Sequence, residues 1–188
     1  PISSNTFPVV NAFQARNASG GGVSWSGDGG LEWQPRNEGL DYNSFTRIVA
    51  DPFSAGTAYA VSMQLGVMKT TDFGATWQAA NTGIPLTPSP NVQTLAASPA
   101  SAGLLWAATG QLMRSTDGGG HWSVAPLKVQ PMDVWPDETR PESAYVLVVL
   151  PPAAGSGLPE FQLLRTDDGG MTWPRVAADL GLTGSAKR

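Results

Sequence analysis

The residues that could carry out chemistry in this chain of 188 residues are carboxylates in two segments rich in Pro, Gly and Asn. Glu38 and Asp41 lie beside Arg36 and Tyr42 in the densest polar stretch, and Glu160 follows a Pro-rich run later in the chain. Two carboxylates at a set separation can hydrolyse a glycosidic bond. Glu38 with Asp41 or Glu160 is a candidate pair, and the five residues together are a candidate ligand or partner site. Ordinary solvated loop positions are the better interpretation of Glu38 and Asp41.

Other catalytic arrangements find little support in the sequence. The chain contains 0 Cys, which excludes thiolate catalysis, disulfides and cysteine-based metal sites. The single histidine, His121, lies inside a predicted turn, where a general-base role is not expected. The run 20–22 of three glycines precedes a predicted strand instead of opening a helix, so it does not fit a dinucleotide-binding loop. We therefore predict no catalytic residue, no metal ligand and no cofactor.

One eight-residue phrase, Ser/Thr-x-Asp-x-Gly-x-x-Trp, occurs four times and is named the turn motif. Its copies recur about every 45 residues, and a period in this range indicates a repeat architecture. The shared residues are Ser26, Asp28, Gly30 and Trp33; Thr70, Asp72, Gly74 and Trp77; Ser115, Asp117, Gly119 and Trp122; and Thr166, Asp168, Gly170 and Trp173.

Each copy of the turn motif is predicted to be a tight turn between two strands. Its Gly tolerates a positive φ, its Asp can accept hydrogen bonds from the turn amides, and its Trp can pack back over the turn. A calcium loop would need oxygen ligands at alternating positions and a distal Glu, and the four copies lack that pattern. The four aspartates are therefore interpreted as structural residues and not as metal ligands.

Short apolar runs bounded by Gly, Pro, Asn or Ser surround each turn motif, and such runs predict strands. Around the second copy they span 46–52, 57–61, 66–69 and 77–80, whereas the first unit is shorter and is expected to lack a strand. Three further tryptophans, Trp25, Trp106 and Trp135, lie in predicted strands and are interpreted as core residues. The sequence therefore predicts an all-β fold made of four-stranded antiparallel units.

The turn motif resembles the Asp-box of the BNR and sialidase-like β-propellers, and the unit from Asp51 to Trp77 is similar to the WD40/YVTN/BNR-like repeats of bacterial proteins. The resemblance covers nearly the whole chain and departs from the pattern at Glu32 and His121, where Ser or Thr usually precedes Trp. It implies a β-propeller of four-stranded blades. In these families the Asp-box is structural and lies away from the active site, so the resemblance implies a fold and leaves the function open.

The repeat predicts about four blades in a single segment spanning 1–188. Their ranges are about 8–36, 44–81, 91–126 and 131–178. Propellers typically have four to eight blades, and the family that the chain resembles usually has six or more. We therefore favour an incomplete propeller over a closed four-bladed ring. Such an arc is either part of a longer propeller or is completed by a partner or by a second copy.

The composition limits the classes of partner that the chain is expected to bind. The formal net charge is −4, and the 11 Lys and Arg residues are scattered, whereas a phosphate backbone requires clustered cations. A nucleic-acid partner is not expected. The longest apolar run, 144–150, is far shorter than the roughly 18 residues that span a membrane. The family resemblance and the low Lys content lead us to expect an extracytoplasmic location, periplasmic or secreted.

The family resemblance covers sialidases, xyloglucan-cleaving glycosidases, sortilin-type receptors and photosystem assembly factors. A sialidase-like site would need three arginines facing one cavity and a Tyr nucleophile, and the sequence shows no such grouping of arginines. Our first hypothesis is a non-enzymatic binding or scaffold module that contacts another macromolecule, such as a subunit or assembly factor of an exported or membrane-associated complex. The alternative is a fragment of a glycoside hydrolase acting on polysaccharide.

The end of the blades opposite the turn motifs is where we expect function, because loops on a rigid scaffold carry it. The loop 151–159 at that end is longer than its counterparts. It is interpreted as a tolerated insertion, since added loop length costs little entropy, or alternatively as a partner contact.

Overall fold

The computed structural model describes residues 22–40, 45–152 and 159–176, together with the backbone of 12–16. Asp41, Tyr42 and most of the loop 151–159 lie outside these residues. Within them the chain forms fourteen strands and no helix, so the part that the structure describes offers no helix able to cross a membrane. The strands are β1 (Ala12–Arg16), β2 (Gly22–Ser26), β3 (Gln34–Pro35), β4 (Arg47–Ala50), β5 (Ala58–Ser62), β6 (Gly66–Thr70), β7 (Gln78–Ala79), β8 (Thr94–Ala97), β9 (Leu105–Ala108), β10 (Leu112–Ser115), β11 (Ser123–Val124), β12 (Gln130–Pro136), β13 (Ala144–Leu150) and β14 (Glu160–Thr166).

The strands form four antiparallel sheets in chain order. Sheet 1 is β1–β3, sheet 2 is β4–β7, sheet 3 is β8–β11 and sheet 4 is β12–β14. Sheets 2 and 3 have four strands each. In sheet 4 an isolated bridge between Leu164 and Arg175 stands where a fourth strand would pair. Sheet 1 has three described strands, and they correspond to the last three of sheet 2 because the turn motif follows β2 as it follows β6.

One backbone hydrogen bond closes the turn between the first and second strands of sheets 2, 3 and 4. It runs from Asp51 N to Thr57 O, from Ser98 N to Leu104 O and from Asp137 N to Ser143 O, at 2.9 to 3.0 Å. This shared bond aligns the three sheets residue by residue. It also shows that the extra length of the fourth unit lies partly in β13 and β14, which have seven residues each, and not only in the loop between them.

The sheets pack face to face, with one apolar core between each neighbouring pair. Every residue of β5 and β9 is buried, because sheets 2 and 3 are covered on both faces. In β13 burial alternates: Ala144, Val146 and Val148 are buried against sheet 3, while the residues between them are half-buried. The prediction that Trp135 is a core residue is wrong, since it is 42% exposed on β12.

Candidate functional site

The turn motif has one hydrogen-bond pattern in all four copies. The Ser or Thr hydroxyl donates to the Asp Oδ1 at 2.7 to 2.8 Å and accepts the Gly N–H at 2.7 to 3.0 Å. The Asp also accepts the N–H of the residue before Trp, at 2.9 to 3.0 Å. Local bonds of this kind fix a turn without help from the rest of the fold.

These bonds lower the pKa of all four aspartates, because they favour the ionised carboxylate. The Thr76 N–H and hydroxyl, with the Thr70 hydroxyl, lower the pKa of Asp72 to about 2. The pKa of Asp168 is lowered most by the hydroxyls of Thr172 and Thr166. Each of the four carboxylates thus makes its hydrogen bonds within its own turn. In the described ranges there is no group of three His, Cys, Asp or Glu that could hold a metal ion.

The tryptophans of the second and third copies also join neighbouring sheets. Trp77 donates its indole N–H to Arg36 O at 3.0 Å and its backbone N–H to Glu38 O at 2.9 Å. Trp122 makes the same two bonds to Ala80 and Thr82, both at 2.8 Å. The links after sheets 1 and 2 are therefore each fixed by the Trp of the next sheet.

The sequence analysis missed a second repeat, Trp-Gln-x-x-Asn-x-Gly, which builds these links at 33–39 and 77–83. Asn37 accepts the Val23 N–H at 2.7 Å, and Asn81 accepts the Val67 N–H at 2.8 Å. A Cβ on Gly83 would lie 2.1 Å from Trp122 O, which only a glycine avoids. The pattern could have been found by comparing the residues after each turn motif.

The link after sheet 3 lacks this pattern. Pro126 stands where Asn37 and Asn81 stand in the earlier links. Trp173 donates its indole N–H to Gly170 O of its own turn at 3.0 Å, and not to the preceding sheet. Sheets 3 and 4 are joined instead by an apolar core that includes Trp106 and Val146, and by the Trp106–Trp173 ring contact at 5.8 Å between centroids.

The structure describes three of the five candidate site residues, and it does not bring them together. The Arg36 guanidinium lies 4.9 Å from the ring centroid of Trp25, and the Glu38 side chain is exposed. Glu160, on sheet 4, accepts hydrogen bonds from Gln162 at 2.9 Å and Arg175 at 3.1 Å. Within the described ranges no hydrogen bond or ion pair joins Glu38 to Glu160.

A polar cluster that the sequence analysis did not identify lies on the first strands of sheets 2, 3 and 4. Arg47 donates to Thr94 Oγ1 and, at 3.0 Å, to Asp133 Oδ1, and the Thr94 hydroxyl donates to the same oxygen at 2.8 Å. The three residues occupy equivalent positions, each four before the residue whose N–H closes the first turn. Arg47 and Asp133 remain 39% and 30% exposed, so both are accessible to a binding partner.

No protein-family model matches the chain, and no curated protein is similar to it in sequence. Among solved structures it is similar to a GH74 enzyme of Niastella koreensis, with 18% identity, a TM-score of 0.66, and coverage of 88% of this chain and 27% of that one. The GH74 xyloglucanase of Xanthomonas campestris aligns at 23% identity and a TM-score of 0.61, over 89% of this chain and 23% of that one. YCF48 from Cyanidioschyzon merolae has 22% identity over 69% of this chain and 36% of that one, with a TM-score of only 0.46.

The GH74 structures have the same arrangement of sheets, and their identities to this chain support a conclusion about fold alone. The fold is a β-propeller. Sheets 1 to 4 are blades 1 to 4 of an incomplete propeller, and the chain spans about a quarter of the length of these GH74 enzymes. The first strands of successive blades, β4, β8 and β12, contact one another, which places them nearest the propeller axis. Arg47, Thr94 and Asp133 are therefore named the axial cluster.

A cleft lies at the same end of the propeller as the axial cluster. It has a volume of about 350 Å³ and is named the link cleft. Its two sides are the link 85–91 between blades 2 and 3 and the turn 109–111 between β9 and β10. Asn91 donates its N–H to Met63 O at 3.1 Å, which ties the link to blade 2. Leu86 is 52% exposed within the same link.

Proposed function

We propose that the chain is a non-enzymatic β-propeller module that binds a segment of another protein at the end bearing the axial cluster. The proposal rests on the shape and lining of the link cleft. Pro85, Pro88 and Pro90 give it an apolar wall without N–H donors, and the exposed Gln111 supplies a polar group on the opposite side. A concave, largely apolar site with a few polar groups suits an extended peptide, and loops on a rigid scaffold are common positions for such sites.

The axial cluster supports binding better than catalysis. Asp133 Oδ1 accepts hydrogen bonds from Arg47, from Thr94 and from the Val134 N–H at 2.9 Å. This oxygen therefore has its hydrogen-bonding capacity taken up by the inner strands themselves. Arg47 presents a positive charge at the same end, which favours an acidic or hydrogen-bonding group in the bound segment.

A peptide-display experiment tests the proposal. A random dodecapeptide library is selected on the full chain, and the recovered peptides are titrated against the Leu86→Asp variant. We expect at least a tenfold loss of affinity, because a carboxylate replaces an exposed apolar contact beside the cleft. Val124→Asp, on the exposed strand β11, is the matched control and should bind as the parent chain does. Equal binding by both variants would reject the link cleft as the site.

The glycoside hydrolase alternative is tested with xyloglucan, the substrate named for the Xanthomonas campestris structure. We expect neither release of reducing ends nor slower migration of the chain in a gel containing xyloglucan. Release of reducing ends that is abolished by Asp133→Asn would favour the alternative and overturn the proposal, because a binding module has no turnover.

We further propose that the turn motifs are Asp-boxes, that the chain is extracytoplasmic, and that it acts as a subunit or assembly factor. The Asp-box assignment is supported by the shared bonds of the four turns, and the location by the low Lys content of the sequence. Fractionation of cells that express the natural protein, with a periplasmic and a cytoplasmic marker, tests the location.

A further inference from the structure

The outgoing face of a blade, defined as the side chains that face the next blade in chain order, is apolar in blades 2, 3 and 4. In blade 2 it contains Tyr59, Val61 and Val67, which are all fully buried under blade 3. Strand pairing puts Tyr145, Leu147 and Leu163 at the equivalent positions of blade 4. These three are only half-buried. Exposed Trp135 extends the apolar area on the same face, since it pairs with Tyr145.

An aromatic ring paired with a cation lies at one position of each of these faces. The pairs are Tyr59 with Lys69, Trp106 with Arg114, and Tyr145 with Arg165, each directly opposite in adjacent strands. The cation lies 5.6, 5.5 and 5.4 Å from the ring centroid, respectively. The near-identical distances between cation and ring indicate that the three pairs have the same structural role.

In blades 2 and 3 the pair holds the turn motif of the next blade. Tyr59 OH and Lys69 Nζ both donate to Gly118 O, at 3.2 and 2.8 Å. In the next repeat a Cβ on Gly170 would lie 2.5 Å from the Trp106 ring. One on Gly169 would lie 2.3 Å from Glu142 Oε2 of its own blade and in ordinary contact, 3.5 Å, with Arg114 Nη2. The ring and the cation thus approach the Gly-Gly backbone closely, and the Trp106 ring leaves no room for a Cβ at Gly170.

The first turn motif offers the same Gly-Gly backbone, and among the residues that the structure describes nothing packs against its first glycine. Its sequence Asp28-Gly29-Gly30 matches Asp-Gly-Gly at 117–119 and 168–170. A Cβ on Gly29 would meet nothing within 4 Å, whereas one on Gly118 would meet Tyr59 OH at 3.2 Å. Leu31, in the same turn, is largely exposed.

We propose that the outgoing face of blade 4 binds the first turn motif of a second copy of this chain, so that copies associate head to tail. Tyr145 and Arg165 would hold Gly29 and Gly30 as Trp106 and Arg114 hold Gly169 and Gly170. The first turn motif and the blade 4 face match the two halves of the contact between blades 3 and 4, and this match favours a second copy over an unrelated partner. A contact between different surfaces closes a ring or continues into a fibre. The proposal uses neither the link cleft nor the axial cluster, and it is independent of the proposed function.

Two single substitutions block opposite sides of the contact. The outgoing face of blade 4 is named the tail, and the first turn motif is named the head. Leu147→Asp puts a charge in the tail and blocks that side of the contact. Gly29→Lys puts a bulky cation against Arg165 and blocks the head. Val124→Asp on β11 is the matched control for the tail. Leu31→Lys is the matched control for the head, because its equivalent Met171 stays 68% exposed in a packed turn.

Sedimentation equilibrium at 1 to 100 μM measures mass, and circular dichroism checks folding. We expect the parent chain and both controls to reach at least twice the monomer mass and both blocking variants to stay monomeric. An equimolar mixture of the blocking variants should form a 1:1 dimer, because each keeps the surface that the other has lost. Phe161→Asp, on the exposed β14 edge of the same face, replaces Leu147→Asp if that variant is unfolded.

Three results would overturn the proposal. A parent chain that is monomeric throughout excludes a second copy and leaves the blade 4 face to another partner. Dimers of Gly29→Lys alone would mean that two blade 4 faces pack on each other. Failure of the blocking variants to complement each other, while the controls assemble, would exclude the head-to-tail arrangement.

Discussion

Trp122 donates its indole N–H to the main-chain carbonyl of Ala80, which is 2.8 Å away and 42 residues earlier in the chain. The bond is buried, and it joins the turn motif of blade 3 to the last strand region of blade 2. Trp77 makes the equivalent bond to Arg36. The turn motif therefore has two roles in these blades, since it closes its own turn and fixes the preceding blade.

Trp122→Phe should lower the free energy of unfolding by about 2 kcal/mol, because the buried Ala80 carbonyl loses its donor. Urea denaturation followed by tryptophan fluorescence and circular dichroism measures the change. Trp33→Phe is the matched control, since within the described ranges that indole bonds only to Gly30 of its own half-exposed turn. An equal loss in both variants would show that ring packing, and not the bond between blades, stabilises the chain.

Gly83→Ala should destabilise the fold more than an ordinary surface substitution does. Gly83 has φ +93, and an added Cβ would lie 2.1 Å from Trp122 O. We expect a loss of about 2 kcal/mol or more from the positive φ and the displaced backbone. Gly110→Ala, where a Cβ meets nothing within 4 Å, should change stability little. Similar urea midpoints for the two variants would contradict the tight approach of the link to Trp122.

Acid should destabilise the turn motifs. The folded-state pKa of Asp72 is depressed to about 2 by its bonds to Thr76 and Thr70, below the ordinary value near 4. A depressed pKa contributes stability that is present above the unfolded value and is lost as pH falls from about 4 towards 2. The melting midpoint of the parent chain should fall over this window, and less so in Asp72→Asn. If the melting midpoints of the parent chain and of Asp72→Asn fell in parallel with pH, Asp72 would not contribute to the loss of stability in acid.

Asp72→Asn should itself lower stability at pH 7 by about 1 kcal/mol, because an amide replaces charge-assisted acceptance from the turn N–H groups. Exposure to solvent limits the effect. Glu32→Gln, in an equivalent turn but with an exposed side chain, is the control that should leave the melting midpoint unchanged.

The axial cluster should show energetic coupling between Arg47 and Asp133. A double-mutant cycle with Arg47→Met and Asp133→Asn measures it from urea denaturation. We expect about 1 kcal/mol, modest because both side chains are partly exposed, and a smaller value in 1 M salt. Additive effects of the two substitutions would mean that the ion pair adds nothing to the packing of the inner strands.

The features that could be predicted from the sequence are local ones. The turn motif places its hydroxyl, carboxylate and Gly within eight residues, so its geometry follows from spacing alone. The axial cluster could not be predicted in the same way, because Arg47 and Asp133 lie 86 residues apart and meet only through the curvature of successive blades. The interpretation of Arg36 and Glu38 as ligand groups overlooked their main-chain carbonyls, which hold Trp77.

The seam between blades 3 and 4 differs from the other two because Pro126 replaces the link Asn and Trp173 bonds to its own turn. In the described ranges no main-chain hydrogen bond crosses this seam, and apolar packing carries most of it. Apolar contacts resist separation but specify direction weakly. The angle between blades 3 and 4 is therefore set by the shapes of packed side chains, so a change of volume in this core would alter the curvature of the arc at this seam.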